Sequence, residues 1–352
     1  MIALDAMGGD FAPTVTIEGA INAAKSGIPV GLYGDRAAIE PILNRSKYSL
    51  RNLPLSFFHC SQVIHMDEEP SRAVIRKKDA SLVRAVQAVA DGEATAVVSA
   101  GNSGAALVAG TLILKRAEGV LRPAFGTSLP TQSKSIFCLD LGANTDCKPE
   151  YLAQFALMGQ VYARIVHGVA SPRIALLSNG VEPCKGPVAV QKAYDLLSAM
   201  DIEFVGNLEA RDIFDDRADV LVCDGFAGNV LLKTVQGTVR VMGSWIKEEA
   251  SRNLLRKFLF MFSRPVFADL KAKTDYTRKG GALLLGVQHP LIVAHGSSQA
   301  ESIAQAIRYA HATVQEKFVP RYNQELTALI QQATRPMMFN ATTHDAIDSM
   351  VR

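Results

Sequence analysis

Cysteine is scarce in this chain and follows no pairing pattern: Cys60, Cys138, Cys147, Cys184 and Cys223 form no CxxC pair and no Cys/His spacing suited to zinc. That points to a reducing compartment, mostly buried thiols and no structural metal. Charge of one sign is equally lacking, with 37 Lys and Arg against 34 Asp and Glu and a formal net charge of +3 over 352 residues. Overall charge therefore excludes a general nucleic-acid binder, while leaving room for a local basic patch. The amino-terminal MIALDAMGGD lacks the basic start and apolar length of a signal peptide and reads as a first strand. Two runs, 94–114 and 280–300, carry no Lys, Arg, Asp or Glu, but each is broken at its middle by Gly, Asn and Ser or by Pro and His. Polar breaks at mid-membrane are costly, so both read as buried strand, loop and helix start.

What is present is an ordinary globular composition, 48% apolar and 20% charged. It excludes bulk disorder, collagen and coiled coil, and suits one large α/β domain or two smaller ones. Along the chain a short apolar or β-branched run is followed by a Gly, Asn and Ser loop and then by an amphipathic helical stretch. The loops are GNSG, GANTD, SNGVEPCKG, DGFAGN and HGSS. This alternation indicates a mostly parallel sheet covered by helices on both faces. In such a sheet the loops leaving the strands' carboxyl ends share one edge, so five loops predict one site. Helices expected at roughly 104–115, 149–167, 187–199, 229–243 and 298–318 would point their amino ends there, favouring an anion such as phosphate. Otherwise the glycines serve only to end strands and turn the chain.

Standard signatures are missing: there is no GxGxxG turn, no P-loop, no GxSxG elbow and no HExxH helix. Among seven histidines only His295 sits in a glycine and serine loop, as an acid–base candidate or as a hydrogen-bonded structural residue. Lys185, before a helix beginning near Pro187 and beside Asn179, is placed to grip a phosphate or polarise a carbonyl, or is a solvated surface lysine. Asn229 offers an amide to orient a nucleophile or hold an oxyanion, or is a helix cap. Cys184 and Cys223 border these loops and raise the alternative of a thiol nucleophile, which no His/Cys spacing supports.

The stretch 244–279 breaks the alternation. It holds nine basic and four acidic residues, against 28 and 30 in the rest of the chain, so a +5 segment is set in a body of −2. It contains the one Trp, Trp245, and FLFMF at 258–262, while Ile246, Ala250, Leu254 and Phe258 recur every four residues. A basic aromatic helix followed by Pro265 and a second short helix fits a membrane-surface contact, or a helical hairpin packed into a dimer.

Taken together, DAMGGDFAP (5–13), EPSRAVIRKKDASLVRAV (69–86), VVSAGNSGA (97–105), RPAFGTSLPT (122–131), LDLGANTDCKPEYLAQFALMGQVYA (139–163), GNLEARDIF (206–214), DVLVCDGFAGNVLLKT (219–234), GGALLLGV (280–287) and AHGSS (294–298) resemble the bacterial acyl-carrier-protein:phosphate acyltransferases of phospholipid synthesis. The resemblance covers residues 1–318. It implies a three-layer α/β/α sandwich like phosphotransacetylases and isocitrate-type dehydrogenases, a single catalytic domain with a projecting hairpin inserted at 244–279, and a homodimer. The segment 319–352 is left as a partly mobile tail.

The implied reaction is attack of inorganic phosphate on the thioester of a long-chain acyl-carrier protein, giving acyl phosphate and free carrier without a cofactor or metal. Acyl phosphate then feeds a membrane-bound glycerol 3-phosphate acyltransferase. The implied location is cytoplasmic, peripheral to the inner membrane, with no nucleic-acid partner. Lys185 and Asn229 match the family's catalytic pair. Asn102, Ser103, Gly104, Asn144, Asn179, Asp224, Gly225, Gly228, His295, Gly296 and Ser297 form the expected phosphate and substrate loops, and Asp5, Gly8, Gly9 and Asp10 orient them. Trp245, Arg252, Arg256, Lys257, Phe258, Phe260 and Phe262 are the expected membrane or carrier contacts. The chain departs from the family pattern at Ser103, at Val181 and Pro183, and at Val293, where the family often carries a lysine that would share phosphate charge.

Overall fold

Among the described residues, apolar runs bounded by turn residues become eleven strands: β1 (Ile2–Asp5), β2 (Val30–Gly34), β3 (Leu55–His59), β4 (Ala96–Ser99), β5 (Ala124–Pro130), β6 (Ser135–Leu139), β7 (Ile174–Ser178), β8 (Phe204–Glu209), β9 (Val220–Val222), β10 (Ala282–Leu285) and β11 (Leu291–Val293). The computed structural model describes residues 1–45, 52–274 and 280–348, with backbone alone at 257, 264, 268–274 and 334–348. The strands form one sheet in the order β3-β2-β1-β4-β11-β10-β5-β6-β9-β7-β8. β1, β2, β4, β9 and β11 are buried along their whole length, as strands covered on both faces must be.

Two cores result, one on each face, because alternate strand residues point to opposite sides. Ile2 and Leu4 of β1 join the core under α1 (Thr14–Ala24), α6 (Pro149–His167), α7 (Val188–Ser198) and α10 (Ala300–Gln315). Ala3 faces the other core, under α3 (Pro70–Arg76), α4 (Ser81–Ala90) and α5 (Ser103–Ala109). Local chemistry sets the helix ends: α6 opens on Pro149, whose missing N–H costs nothing in a first turn, and stops at Gly168 in the left-handed region. The remaining helices are α2 (Arg36–Arg45), α8 (Gly225–Ser251), α9 (Leu254–Thr274) and α11 (Phe318–Asp348). The charge-free runs resolve as β4, a turn and α5, and as β10, β11 and the loop into α10. No helix among the described residues is long and apolar enough to cross a membrane.

The expectation of five loops on one edge is corrected by strand direction. Most neighbouring strand pairs are parallel, but β10–β11, β10–β5 and β5–β6 are antiparallel. The turn at 131–134, closed by Thr131 N–H to Lys134 O at 2.9 Å, reverses the chain, and the link between β10 and β11 reverses it again. Hence β1–β5 and β11 run one way and β6–β10 the other. The loops after β1, β4 and β11 leave one edge, and those after β6, β7 and β9 leave the opposite edge.

Two further boundaries move. The segment read as a tail opens as α11, which buries Val319, Tyr322 and Leu326, with the Tyr322 hydroxyl donating to Met158 O at 3.0 Å. The expected hairpin at 244–279 is the outer part of α8 and α9, and its first arm begins as far back as Gly225. Ile246, Ala250, Leu254 and Phe258 do not form one stripe, because the helix breaks at Arg252 and Asn253, whose side chain accepts the Arg256 N–H at 2.8 Å and starts α9 afresh. Pro265 lies inside α9 rather than between two helices.

Candidate active site

At the first edge the loops after β1, β4 and β11 are knitted together. The Asp5 carboxylate is buried and accepts from Ser81 Oγ at 2.6 Å, Ser99 Oγ at 2.8 Å and Met7 N–H at 3.3 Å. Burial pushes its pKa up, against the pull of those donors. Gly8 has no room for a Cβ, which would stand 2.5 Å from Asp5 Oδ2 and 2.8 Å from Gly101 N. Gly9 holds φ at +115°, and Asp10 N–H donates to Gly296 O at 2.8 Å. Asp5, Gly8, Gly9 and Asp10 thus sit at this junction of loops. His295 completes it: its Nδ1 lies 2.8 Å from Ser297 Oγ and 3.1 Å from Ser297 N.

At the opposite edge a second buried carboxylate orders the loop after β6. Asp140 accepts N–H groups from Phe125 (3.1 Å), Gly142 (3.3 Å), Ala143 (3.0 Å) and Asn144 (2.6 Å). Asn144 O in turn accepts Gly225 N–H at 2.7 Å, tying this loop to the start of α8. The cap of α8 is Asp224, which accepts Ala227 N–H at 2.8 Å. The helix therefore begins four residues before the expected 229, and Asn229 is a side chain of its second turn rather than its cap.

Between the two edges lies a cavity of about 340 Å³ over β5, β10 and β11. Its polar wall includes Asp10, Ser103, Asn229, Lys233, Gln236 and His295, and its apolar wall Met66, Phe125, Leu141, Leu232 and Val293. Asn229 and Lys233 are one turn apart on one face of α8. The helix rises about 12 Å from Gly225 to Lys233, which carries the lysine from the loop after β9 to the loop after β11. There Lys233 Nζ and His295 Nε2 are hydrogen-bond partners. Burial lowers the pKa of both groups; at His295 the neighbouring Lys233 lowers it further and Asp10 opposes.

The structure brings Asp10, Ser103, Asn229, His295 and Gly296 to this cavity. Others expected as ligand donors are committed elsewhere. Asn102 caps α5 by accepting Ala105 N–H at 3.0 Å, and its Nδ2 reaches the carbonyls of His65 (3.2 Å), Met66 (3.3 Å) and Glu68 (3.1 Å). Asn144 Nδ2 donates to Pro123 O and Asp140 Oδ2, both at 2.9 Å. Gly104, Gly225 and Gly228 admit close packing against Pro70, Asn144 and Asp140 rather than a ligand. Lys185 and Asn179 are exposed and do not line the cavity; the Lys185 stem lies against Gly180. Cys184 is exposed outside the cavity, and Cys223 is buried, its thiol pushed up by burial and donating to Asp140 O at 3.4 Å.

Lys233 is the residue sequence reasoning passed over. Its signal was its place four residues after Asn229 in DGFAGNVLLKT, but its meeting with His295, 62 residues away, is a tertiary fact. On the hairpin Trp245, Phe258 and Phe262 are exposed and Phe260 packs on Phe267 with centroids 4.6 Å apart. Arg252 and Arg256 both pair with Glu249. The Lys257 side chain lies outside the described residues.

The sandwich is that of the phosphotransacetylases. One from Streptococcus pyogenes superposes with a TM-score of 0.56 at 16% identity, covering 89% of this chain and 94% of that one. A branched-chain phosphotransacylase from Enterococcus faecalis gives 0.51 at 16% identity, covering 89% and 99%. At such identity the likeness concerns the fold alone. The sequence profile of the family described as "Fatty acid synthesis protein" matches residues 1–321. The phosphate acyltransferase of Geobacter sulfurreducens is 44% identical over 336 residues, covering 94% of this chain and 96% of that protein. That of Geobacillus thermodenitrificans is 43% identical over 328 residues, covering 92% and 98%. The chain belongs to this family of phosphate acyltransferases.

Proposed function

We propose that the protein transfers a long-chain acyl group from the thioester of an acyl-carrier protein to inorganic phosphate. The observation that carries this reading is the cavity itself. It joins an amide, an ammonium and an imidazole on one wall to Phe125, Leu141, Leu232 and Val293 on the other, a match for an anion meeting an acyl chain. The Asn229 side chain has no hydrogen-bond partner among the described residues and faces this space, free to orient phosphate. Lys185 lies in the loop after β7, the parallel neighbour of β9, at the same edge as the loop that leads into α8 and Asn229. We assign it the charge of the tetrahedral oxyanion.

A phosphate oxygen attacks the thioester carbon and forms the C–O bond. The oxyanion collapses, the C–S bond breaks, and the proton brought by hydrogen phosphate ends on the carrier thiol. Phosphate is its own nucleophile, so the protein's contribution is positioning and charge. Because acyl phosphate is a reactive amphiphile, we place its consumer, a glycerol 3-phosphate acyltransferase, in the membrane. The exposed Trp245, Leu254, Phe258 and Phe262 supply this cytoplasmic protein's contact with the inner membrane surface, and the chain acts as a homodimer. The test is phosphate-dependent release of carrier thiol from a long-chain acyl-carrier substrate, run beside acetyl-coenzyme A. Turnover of acetyl-coenzyme A alone would replace this reading with a short-chain phosphotransacetylase.

A further inference from the structure

We infer that Lys233 is the cation that binds phosphate in the cavity, and that His295 is the positioning residue that holds it there. The inference rests on the proposed transfer to phosphate and names a residue that the catalytic pair Lys185 and Asn229 leaves out.

Lys233 is the one Lys or Arg among the described residues lining the cavity. Among the described residues it forms no ion pair with a carboxylate; its hydrogen-bond partner is the imidazole of His295. His295 Nδ1 accepts the Ser297 N–H at 3.1 Å, which fixes the ring, and Nε2 meets Lys233 Nζ, occupying one of its hydrogen-bonding positions. The other two N–H donors remain for a ligand. Ser297 thus fixes the imidazole, His295 fixes Nζ, and Lys233 stands beside Asn229 one turn earlier. Residues at that spacing have their Cβ atoms about 5–6 Å apart, a reach that lets an amide and an ammonium hold two oxygens of one tetrahedral anion. Asp10 is the one carboxylate among the described lining residues.

The experiment compares the wild-type protein with Lys233→Met, Lys233→Arg and His295→Ala. Inorganic phosphate is titrated calorimetrically and the phosphate and acyl-carrier Michaelis constants are measured separately. Charge-assisted hydrogen bonds of this kind correspond to about 10- to 100-fold in affinity. Lys233→Met should therefore raise the phosphate dissociation and Michaelis constants by about that factor, with the carrier constant within about twofold. Lys233→Arg should recover most of the loss, and His295→Ala should weaken phosphate by about 3- to 10-fold while Lys233 remains. If Lys233→Met does not fold, the His295→Ala and Lys233→Arg titrations decide by the same criterion. Equal phosphate affinity in all variants, with normal wild-type turnover, would overturn this assignment and leave the functional reading intact. A wild-type protein that binds phosphate through Lys233 but releases no carrier thiol would do the reverse.

Discussion

The backbone carbonyl oxygen of Asp140 lies 1.9 Å from where a Cβ on Gly228 would stand, so the first turn of α8 rests directly on the loop after β6. Asn229 follows at once, and its place above Gly142 depends on that contact. Gly228→Ala must separate helix from loop, at a cost of about 1–3 kcal/mol or more. We expect a lower melting temperature and at least tenfold lower turnover. Gly237, on the same helix with nothing within 4 Å, is the control: Gly237→Ala should stabilise by about 0.5–1 kcal/mol with activity kept. Equal melting temperatures for the two variants would contradict the packing argument.

Asn102 shapes the cavity from outside it. By capping α5 and bonding three carbonyls between His65 and Glu68 it fixes the segment that carries Met66 to the cavity wall. Asn102→Ala loses a cap of about 1 kcal/mol and bonds of about 1 kcal/mol each. Hydrogen exchange should quicken across 65–69, and thermal stability should fall. Unchanged exchange there would remove Asn102 from this role.

Asp219 sets an acid limit on stability. Burial works to raise its carboxyl, but bonds from Arg173 and Lys134 outweigh it and hold the pKa at about 2. A depressed carboxyl stabilises the fold above its unfolded pKa, near 4, and that contribution is lost as pH falls from about 4 to about 2. The shift corresponds to about 2 kcal/mol, an upper figure because Arg173 and Lys134 reach solvent. Urea midpoints of Asp219→Asn should lie below those of wild type at pH 7 and converge with them near pH 2. Parallel curves at all pH values would exclude the ion pairs as the cause.

The hairpin offers a separate test. Anionic vesicles should blue-shift the fluorescence of Trp245, the single tryptophan, and charge reversal at Arg256 and Lys257 should weaken vesicle binding with steady-state kinetics intact. A raised Michaelis constant for the carrier with vesicle binding unchanged would reassign these residues to carrier docking.

Much of this was legible in the residues, and the failures share one cause. Pro149 and Gly168 bracket α6 at the expected 149–167, because helix ends are written locally. The glycine loops were found for the same reason. Their grouping was not, because strand direction depends on which strands pair, and the antiparallel β5–β6 and β10–β11 turns carry no signal in the loops they redirect. Asn102 and Asn144 looked like ligand donors since a sequence cannot show that an amide is already spent. Lys233 was missed because its partner is remote in the chain.

Formation of acyl phosphate tests the central claim most directly. Purified protein, long-chain acyl-carrier substrate and inorganic phosphate should yield acyl phosphate, trapped as hydroxamate, in step with free carrier thiol. Lys185→Ala and Asn229→Ala should each cut the rate about 100-fold or more. Thiol release independent of phosphate, or a normal rate in both variants, would contradict the account.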